Sequence, residues 1–260
     1  MPELPEVETY CRYFARHALK QRIARVDVRD ERILAVRAAT FMRKLRGRAF
    51  TDVRRHGKHL FARAGDVWLH LHFGMTGDLA YYREKSDEPR FARVVFDFEN
   101  GAHLAFEDMR LFGVVGLVDD VDAFISRQHL GPDPLDPSFR VHDFLALLAK
   151  RRGAIKSLLM SQEILAGLGN LYVDEVLYQT SIHPRRAVDR LRDAERRALY
   201  TKMRTILRDV VRRHDRGAER PSRWLINHRD EGERCPMCGG TIRRSVVFGR
   251  TTYFCAGHQK

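Results

Sequence analysis

The chain has 260 residues, 44% of them hydrophobic, which is enough for a sizeable core and excludes a disordered polyelectrolyte. Its net charge of +13 is unevenly placed: residues 151–260 hold 23 Lys/Arg against 12 Asp/Glu, whereas residues 116–150 hold 3 against 6. No apolar run approaches the roughly 20 residues of a membrane helix, and the acidic start Met1-Pro2-Glu3-Leu4-Pro5-Glu6 does not read as a signal peptide, so the expectation is an intracellular, cytoplasmic protein with a polyanionic partner.

Residues 4–19 read as a helix: Pro5 suits a first turn, and Val7, Cys11, Phe14 and Ala18 form an apolar stripe at spacings of three and four. Residues 23–115 read as strands. Val67, Leu69, Leu71 and Phe73 alternate with more polar neighbours, as do Val94, Phe96 and Phe98, and Asn100-Gly101 predicts a type I′ hairpin turn. Such alternation implies an antiparallel β-sandwich behind the leading helix. Residues 116–137 carry Asp119, Asp120 and Asp122, then Gly131-Pro132-Asp133-Pro134-Leu135-Asp136-Pro137, and read as a linker without regular helix. Helical patterns follow at about 141–150, 155–165, 170–179 and 190–213, the last with Leu199, Met203, Ile206 and Val210 on one face. The predicted class is α+β and multidomain: a β-sandwich over 2–115, a linker over 116–137, a helical domain over 138–230 and a metal module over 231–260.

The metal module rests on Cys235, Cys238, Cys255 and His258. Each pair has two residues between its members, and sixteen separate the pairs, a spacing suited to tetrahedral zinc with no open position. The expectation is one structural zinc per chain. No acidic residue lies between Cys235 and His258, while Arg243, Arg244 and Arg250 do, which suits a phosphate-contacting hairpin. At the other end, loss of Met1 would expose the secondary amine of Pro2. Such an amine can attack a sugar carbon, with Glu3 and Glu6 beside it to move protons. Read from the residues alone, Pro2-Glu3-Leu4-Pro5-Glu6 is sufficiently explained as an ordinary helix start, with acids placed well for the helix dipole.

Pro2-Glu3-Leu4-Pro5-Glu6-Val7-Glu8-Thr9 resembles the N-terminal signature of the formamidopyrimidine-DNA glycosylase and endonuclease VIII superfamily. Four further segments match in order: Gly57-Lys58-His59-Leu60; His72-Phe73-Gly74-Met75-Thr76-Gly77; Gly167 to Leu177 with Ile182-His183-Pro184, similar to the helix–two-turns–helix motif; and Gly249-Arg250-Thr251-Thr252-Tyr253-Phe254-Cys255, similar to the zinc-finger tip. The resemblance implies a monomeric glycosylase and abasic-site lyase acting on damaged double-stranded DNA without an organic cofactor. Pro2 would form a Schiff base, Glu3 would be general acid and base, and Glu6 would support them. Lys58 and Arg250 would bind phosphate and assist β- and δ-elimination. A flipped-out base leaves a void, and Met75, Arg110 and Phe112 match the residues that fill it. From the residues alone, the favoured reading is loop packing for Met75 and strand core for Phe112; the resemblance reverses it. Lys156 and Asn170 match phosphate-binding positions; a solvated surface lysine is the alternative for Lys156.

The chain departs from this pattern at several places. His258 stands where a fourth cysteine is usual, Leu111 where arginine is frequent, and Phe91 where a DNA-contacting histidine is frequent. Residues 214–234 are too short for the loop that caps 8-oxoguanine, which opens the alternative of an endonuclease VIII-like preference for oxidised pyrimidines. Two readings from other classes remain, a non-catalytic zinc-ribbon DNA binder and an RNA-binding zinc protein. Pro2-Glu3 argues against the first, and the void-filling residues argue against the second.

Overall fold

The computed structural model describes residues 2–260, so the fate of Met1 lies outside the described residues. The chain divides into two compact units, residues 1–128 and 129–260. The first unit opens with α1 (Leu4–Ala18), followed by β1 (Ile23–Val28), α2 (Ala38–Leu45), β2 (Phe50–His56), β3 (His59–Ala64), β4 (Val67–His72), β5 (Gly77–Tyr82), β6 (Ala92–Phe98), β7 (His103–Asp108), β8 (Val114–Val118) and α3 (Val121–Arg127). Two four-stranded antiparallel sheets form, ordered β1-β6-β7-β5 and β2-β3-β4-β8. The predicted stripe of α1 is buried, with Phe14 edge-on to Phe50, and the alternating residues Leu69, Leu71, Phe73, Val94 and Phe96 enter the same core.

Three local expectations are corrected. Helix α2 lies inside the region read as strands; Ala38, Phe41 and Leu45 are buried at helical spacing. The segment read as a linker contains the end of β8 and all of α3, capped by the Asp120 carboxylate accepting from Ala123 N. The β6–β7 connection is not a type I′ turn. Phe98 and Ala102 bond across a three-residue loop in which Gly101 N–H donates to Phe98 O and only Gly101, at φ +79°, is left-handed. That is a type I turn followed by a glycine bulge.

The outer face of the second sheet holds a buried histidine cluster. His59 Nδ1 and His70 Nε2 are 2.8 Å apart, the two rings stack, and Phe124 of α3 covers both. Burial, reinforced by the neighbouring His72 and, for His59, by His56 and Lys58, holds His59 well below the usual histidine range and brings His70 down to about 3. The unfolded chain therefore binds protons that these side chains refuse. Stability should be complete above about pH 6.5 and fall as pH drops from there towards the folded values, by about 1.4 kcal/mol per pH unit for each group. Denaturant titrations between pH 7 and 5 check this (about that interval brackets the ordinary histidine value). A His59→Phe/His70→Leu variant should flatten the slope, and an unchanged slope would assign the acid sensitivity elsewhere.

The second unit contains α4 (Val141–Ala149), α5 (Ile155–Met160), α6 (Asn170–Gln179), α7 (Asp193–Asp215), β9 (Ile242–Val247) and β10 (Arg250–Cys255). The expected face of α7 is buried, but α5 is shorter than its pattern predicted and ends at Met160. No helix among the described residues is long and apolar enough to cross a membrane.

Candidate active site

Helix α1 organises three parts of the first unit. At its start, Glu3 is 3% exposed, and its backbone N–H donates to the Glu6 carboxylate at 3.0 Å in a capping box. Glu6 thus fixes the backbone that carries Pro2 and Glu3. One turn on, Glu8 accepts from Arg55 Nε at 2.9 Å, and Arg55 also donates to Gly57 O at 3.1 Å. Burial pushes Glu8 up, but Arg55 and Arg12 bring its carboxyl below the ordinary value. This pair ties α1 to the β2–β3 turn, where Gly57 takes φ +56° and Lys58 is almost wholly buried. Further along α1, Tyr10 stacks on Phe73 at 4.2 Å and donates to Gly77 O at 3.4 Å, so the helix also supports the loop holding Met75.

Met75 and Phe112 are 42% and 53% exposed, which removes the packing alternatives for both. Arg110 lies with its guanidinium 4.7 Å from the Phe112 ring centroid. A fully buried carboxylate, Asp108, holds the two loops together: it accepts from Thr76 Oγ1, from Arg110 N at 3.1 Å and from Gly113 N at 2.6 Å. Gly74 meets the other loop backbone to backbone, because a Cβ there would lie 2.3 Å from Phe112 C. Leu111, at φ +56°, packs against the sandwich core while its two neighbours remain exposed. Sequence reasoning missed Asp108 and the equally exposed Met109; the Asp followed by a short loop and Gly113 was the only available signal. Phe91, at the position of the absent histidine, lies under the guanidinium groups of Arg90 and Arg93.

In the second unit, Asn170, Lys156 and Arg250 converge on β10. Asn170 starts α6 and donates from Nδ2 to Thr251 O at 2.9 Å, while its buried Oδ1 has no partner among the described residues. Lys156 corrects both sequence readings. It is neither solvated nor open to a phosphate: its side chain is 0% exposed, and Nζ donates to Asp174 at 2.6 Å and to Thr252 Oγ1 at 2.7 Å. Thr252 Oγ1 in turn donates to Arg250 O at 3.0 Å. Lys156 therefore supports the backbone of exposed Arg250 from behind. Asp174 also accepts from Arg229 and from Tyr253 N. The segment after α7 is tied to α6 at three points, Arg220 to Tyr172, Ile226 N to Glu175 and Arg229 to Asp174. Burial raises Glu175 to about 7 against the bonds it accepts from Gln179 and Ile226.

The donor atoms of Cys235, Cys238, Cys255 and His258 all lie within 4.8 Å of one another. Cys238 Sγ is 3.5 Å from Cys255 Sγ, and Cys235 Sγ is 3.7 Å from His258 Nδ1. Tetrahedral zinc with bonds of about 2.0–2.3 Å requires donors about 3.5–3.8 Å apart, so these residues fit the ion. His258 Nε2 donates to Tyr178 O at 3.2 Å, which leaves Nδ1 for the metal. Gly240 and Gly257 flank the sulfurs, and a Cβ on either would come within 3.3 Å of Cys238 Sγ. Cys238→Ser should release about one zinc per chain and weaken DNA binding with it, whereas His258→Cys should keep both. Metal analysis beside a DNA titration checks this, and undiminished affinity in metal-free protein would refute the coupling.

The family model for the formamidopyrimidine-DNA glycosylase N-terminal domain matches residues 1–115, and that for the H2TH domain matches residues 130–222. A formamidopyrimidine-DNA glycosylase of Heliobacterium modesticaldum is 38% identical over the full length of both chains, and one of Streptococcus pneumoniae strain R6 is 34% identical over 100% of this chain and 99% of its own. This chain belongs to the formamidopyrimidine-DNA glycosylase family. The family assignment makes it a DNA-repair glycosylase, and it accounts for the α+β architecture with a zinc-finger-like end. Among solved structures, Lactococcus lactis formamidopyrimidine-DNA glycosylase bound to DNA with an abasic site is 28% identical, with a TM-score of 0.88 and 99% of each chain covered. MutM in complex with DNA containing carbocyclic 8-oxo-G is 29% identical, with a TM-score of 0.90 over the full length of both.

Proposed function

We propose that this family member excises oxidised bases from duplex DNA as a monomer and then cuts the strand at the abasic site. The observation that carries the reading is the exposed cluster of Met75, Arg110 and Phe112 mounted on buried Asp108. A flipped base leaves a void to be filled, and a rigid exposed apolar and guanidinium cluster suits that task. Pro2, as a free secondary amine, attacks the anomeric carbon; the base departs with its bonding pair and a proton, the bond from that carbon to the ring oxygen then breaks as the oxygen is protonated, and an iminium ion remains. Glu3 supplies and removes the protons. The iminium withdraws electrons, so loss of a neighbouring sugar proton expels the 3′ phosphate and a second elimination expels the 5′ phosphate. Lys58 and Arg250 hold phosphates, as do the amide and helix-start N–H groups at Asn170. The zinc site, with its four protein donors, is structural.

The lesion range follows from the segment after α7. An 8-oxoguanine is almost isosteric with guanine, and its selection benefits from a closing loop that reads the added groups. Residues 220–229 are instead anchored to α6 through Tyr172, Glu175 and Asp174. Ring-opened formamidopyrimidines stack poorly and cost less to extrude. They are the preferred substrates on this reading, and oxidised pyrimidines are the second class favoured by the short segment. Borohydride should trap the protein on abasic DNA, and peptide mapping of the adduct should place it on Pro2. Equal trapping through Lys58 would overturn the nucleophile assignment. Single-turnover excision on duplexes differing only in the lesion tests the range; fastest release of 8-oxoguanine would overturn it.

A further inference from the structure

The β9–β10 hairpin presents an aromatic ring that the proposed mechanism does not use. Val247 and Arg250 pair across a two-residue turn formed by Phe248 and Gly249, at φ +51° and +66°. Both values are left-handed, as a type I′ turn requires, and that turn favours Asn-Gly. Phenylalanine in the first position is therefore strained by its backbone. It is also 75% exposed, more so than Met75 or Phe112, and nearby Val246 is 59% exposed. Neither the turn nor the core explains the ring.

The surroundings indicate what it meets. The hairpin carries Arg243, Arg244 and Arg250, with no acidic residue between Cys235 and His258. An exposed ring on a uniformly cationic hairpin matches a polyanion that offers aromatic faces and sugar edges. The hairpin is also braced rather than loose: Thr252 and Asn170 hold β10, and Arg185 donates to Val246 O at 2.7 Å. A strained residue on a braced support is suited to contact.

We propose that Phe248 is a DNA-contacting residue, its ring packing on a base or deoxyribose beside the phosphate that Arg250 holds. This rests on the glycosylase/lyase reading only in taking duplex DNA as the partner. Two substitutions separate the ring from the fold. Phe248→Asn suits the turn better, so zinc content and thermal unfolding should be retained. Its affinity for duplex DNA carrying a tetrahydrofuran abasic analogue should fall about 5- to 100-fold. The slope of log affinity against log salt should stay that of the wild type, because no charge is lost, whereas Arg250→Ala should make the slope shallower. Phe248→Trp should bind as the wild type does, with its added indole emission changing on DNA addition. Wild-type affinity in folded Phe248→Asn, or an indole signal indifferent to DNA, would overturn the assignment. A change in self-association without a change in DNA affinity would overturn it too. Borohydride trapping of the wild type is the control: intact trapping with an unaffected Phe248→Asn defeats this inference alone, whereas absent trapping with impaired Phe248→Asn binding defeats the lyase reading alone.

Discussion

Glu3→Gln is expected to slow base excision by about 10²–10⁴-fold, the range general acid–base groups supply. Glutamine matches glutamate in shape and can keep the backbone contacts at the start of α1, where Glu3 N–H is held by Glu6. It cannot deliver or remove a proton, so the leaving base and the opening sugar ring lose their partner. DNA affinity should be unchanged. On DNA whose base is already gone, the loss in cleavage should be smaller, since the open-chain aldehyde forms without a general acid. Single-turnover excision beside a binding titration makes the comparison. A parallel loss of affinity would show that Glu3 holds DNA or the fold instead.

Asp174→Leu is expected to destabilise the protein by about 3–5 kcal/mol, because it leaves a buried charge without its partner. Lys156 and Asp174 are both 0% exposed and 2.6 Å apart. Removing the carboxylate strands the ammonium and also frees Arg229 and Tyr253 N. The double variant Lys156→Met/Asp174→Leu should recover part of the loss, since an apolar pair carries no charge to desolvate, while Arg229 and Tyr253 N still lack their acceptor. Chemical denaturation of the three proteins measures the coupling. Additive losses would show that the two residues act separately. Because Thr252 joins Lys156 to Arg250 O, the single variant should also loosen the hairpin and lower DNA affinity.

The legible parts of the sequence were those in which spacing alone carries the information. The stripe of α1, the alternation in β4 and β6 and the pairs Cys235/Cys238 and Cys255/His258 are all short-range patterns, and each has its counterpart in the structure. Lys156 was misread because its partners, Asp174 and Thr252, lie 18 and 96 residues away, and nothing local marks a lysine that will be buried. The pairing of His59 with His70 likewise depends on the strand register that brings β3 alongside β4. Helix α2 was lost among strands because it has only two turns. Asp120, which caps α3, was read merely as part of an acidic run. The exposed residues Met75, Arg110 and Phe112 were singled out through family resemblance. Their support, Asp108, was not, because two of its three contacts are with backbone amides, which leave little signature in residue type, and the third is with Thr76, 32 residues away.

The close approach at Gly74 constrains how this glycosylase can vary. Any side chain there would drive a Cβ to 2.3–2.6 Å from the backbone of Phe112 and Gly113, neither of which can step aside alone. Residues 73–77 and 108–113 are therefore one exchangeable cassette rather than two independent loops. A chimaera that imported either segment from a relative would have to import both, and a library randomising them separately would consist mainly of mismatched halves.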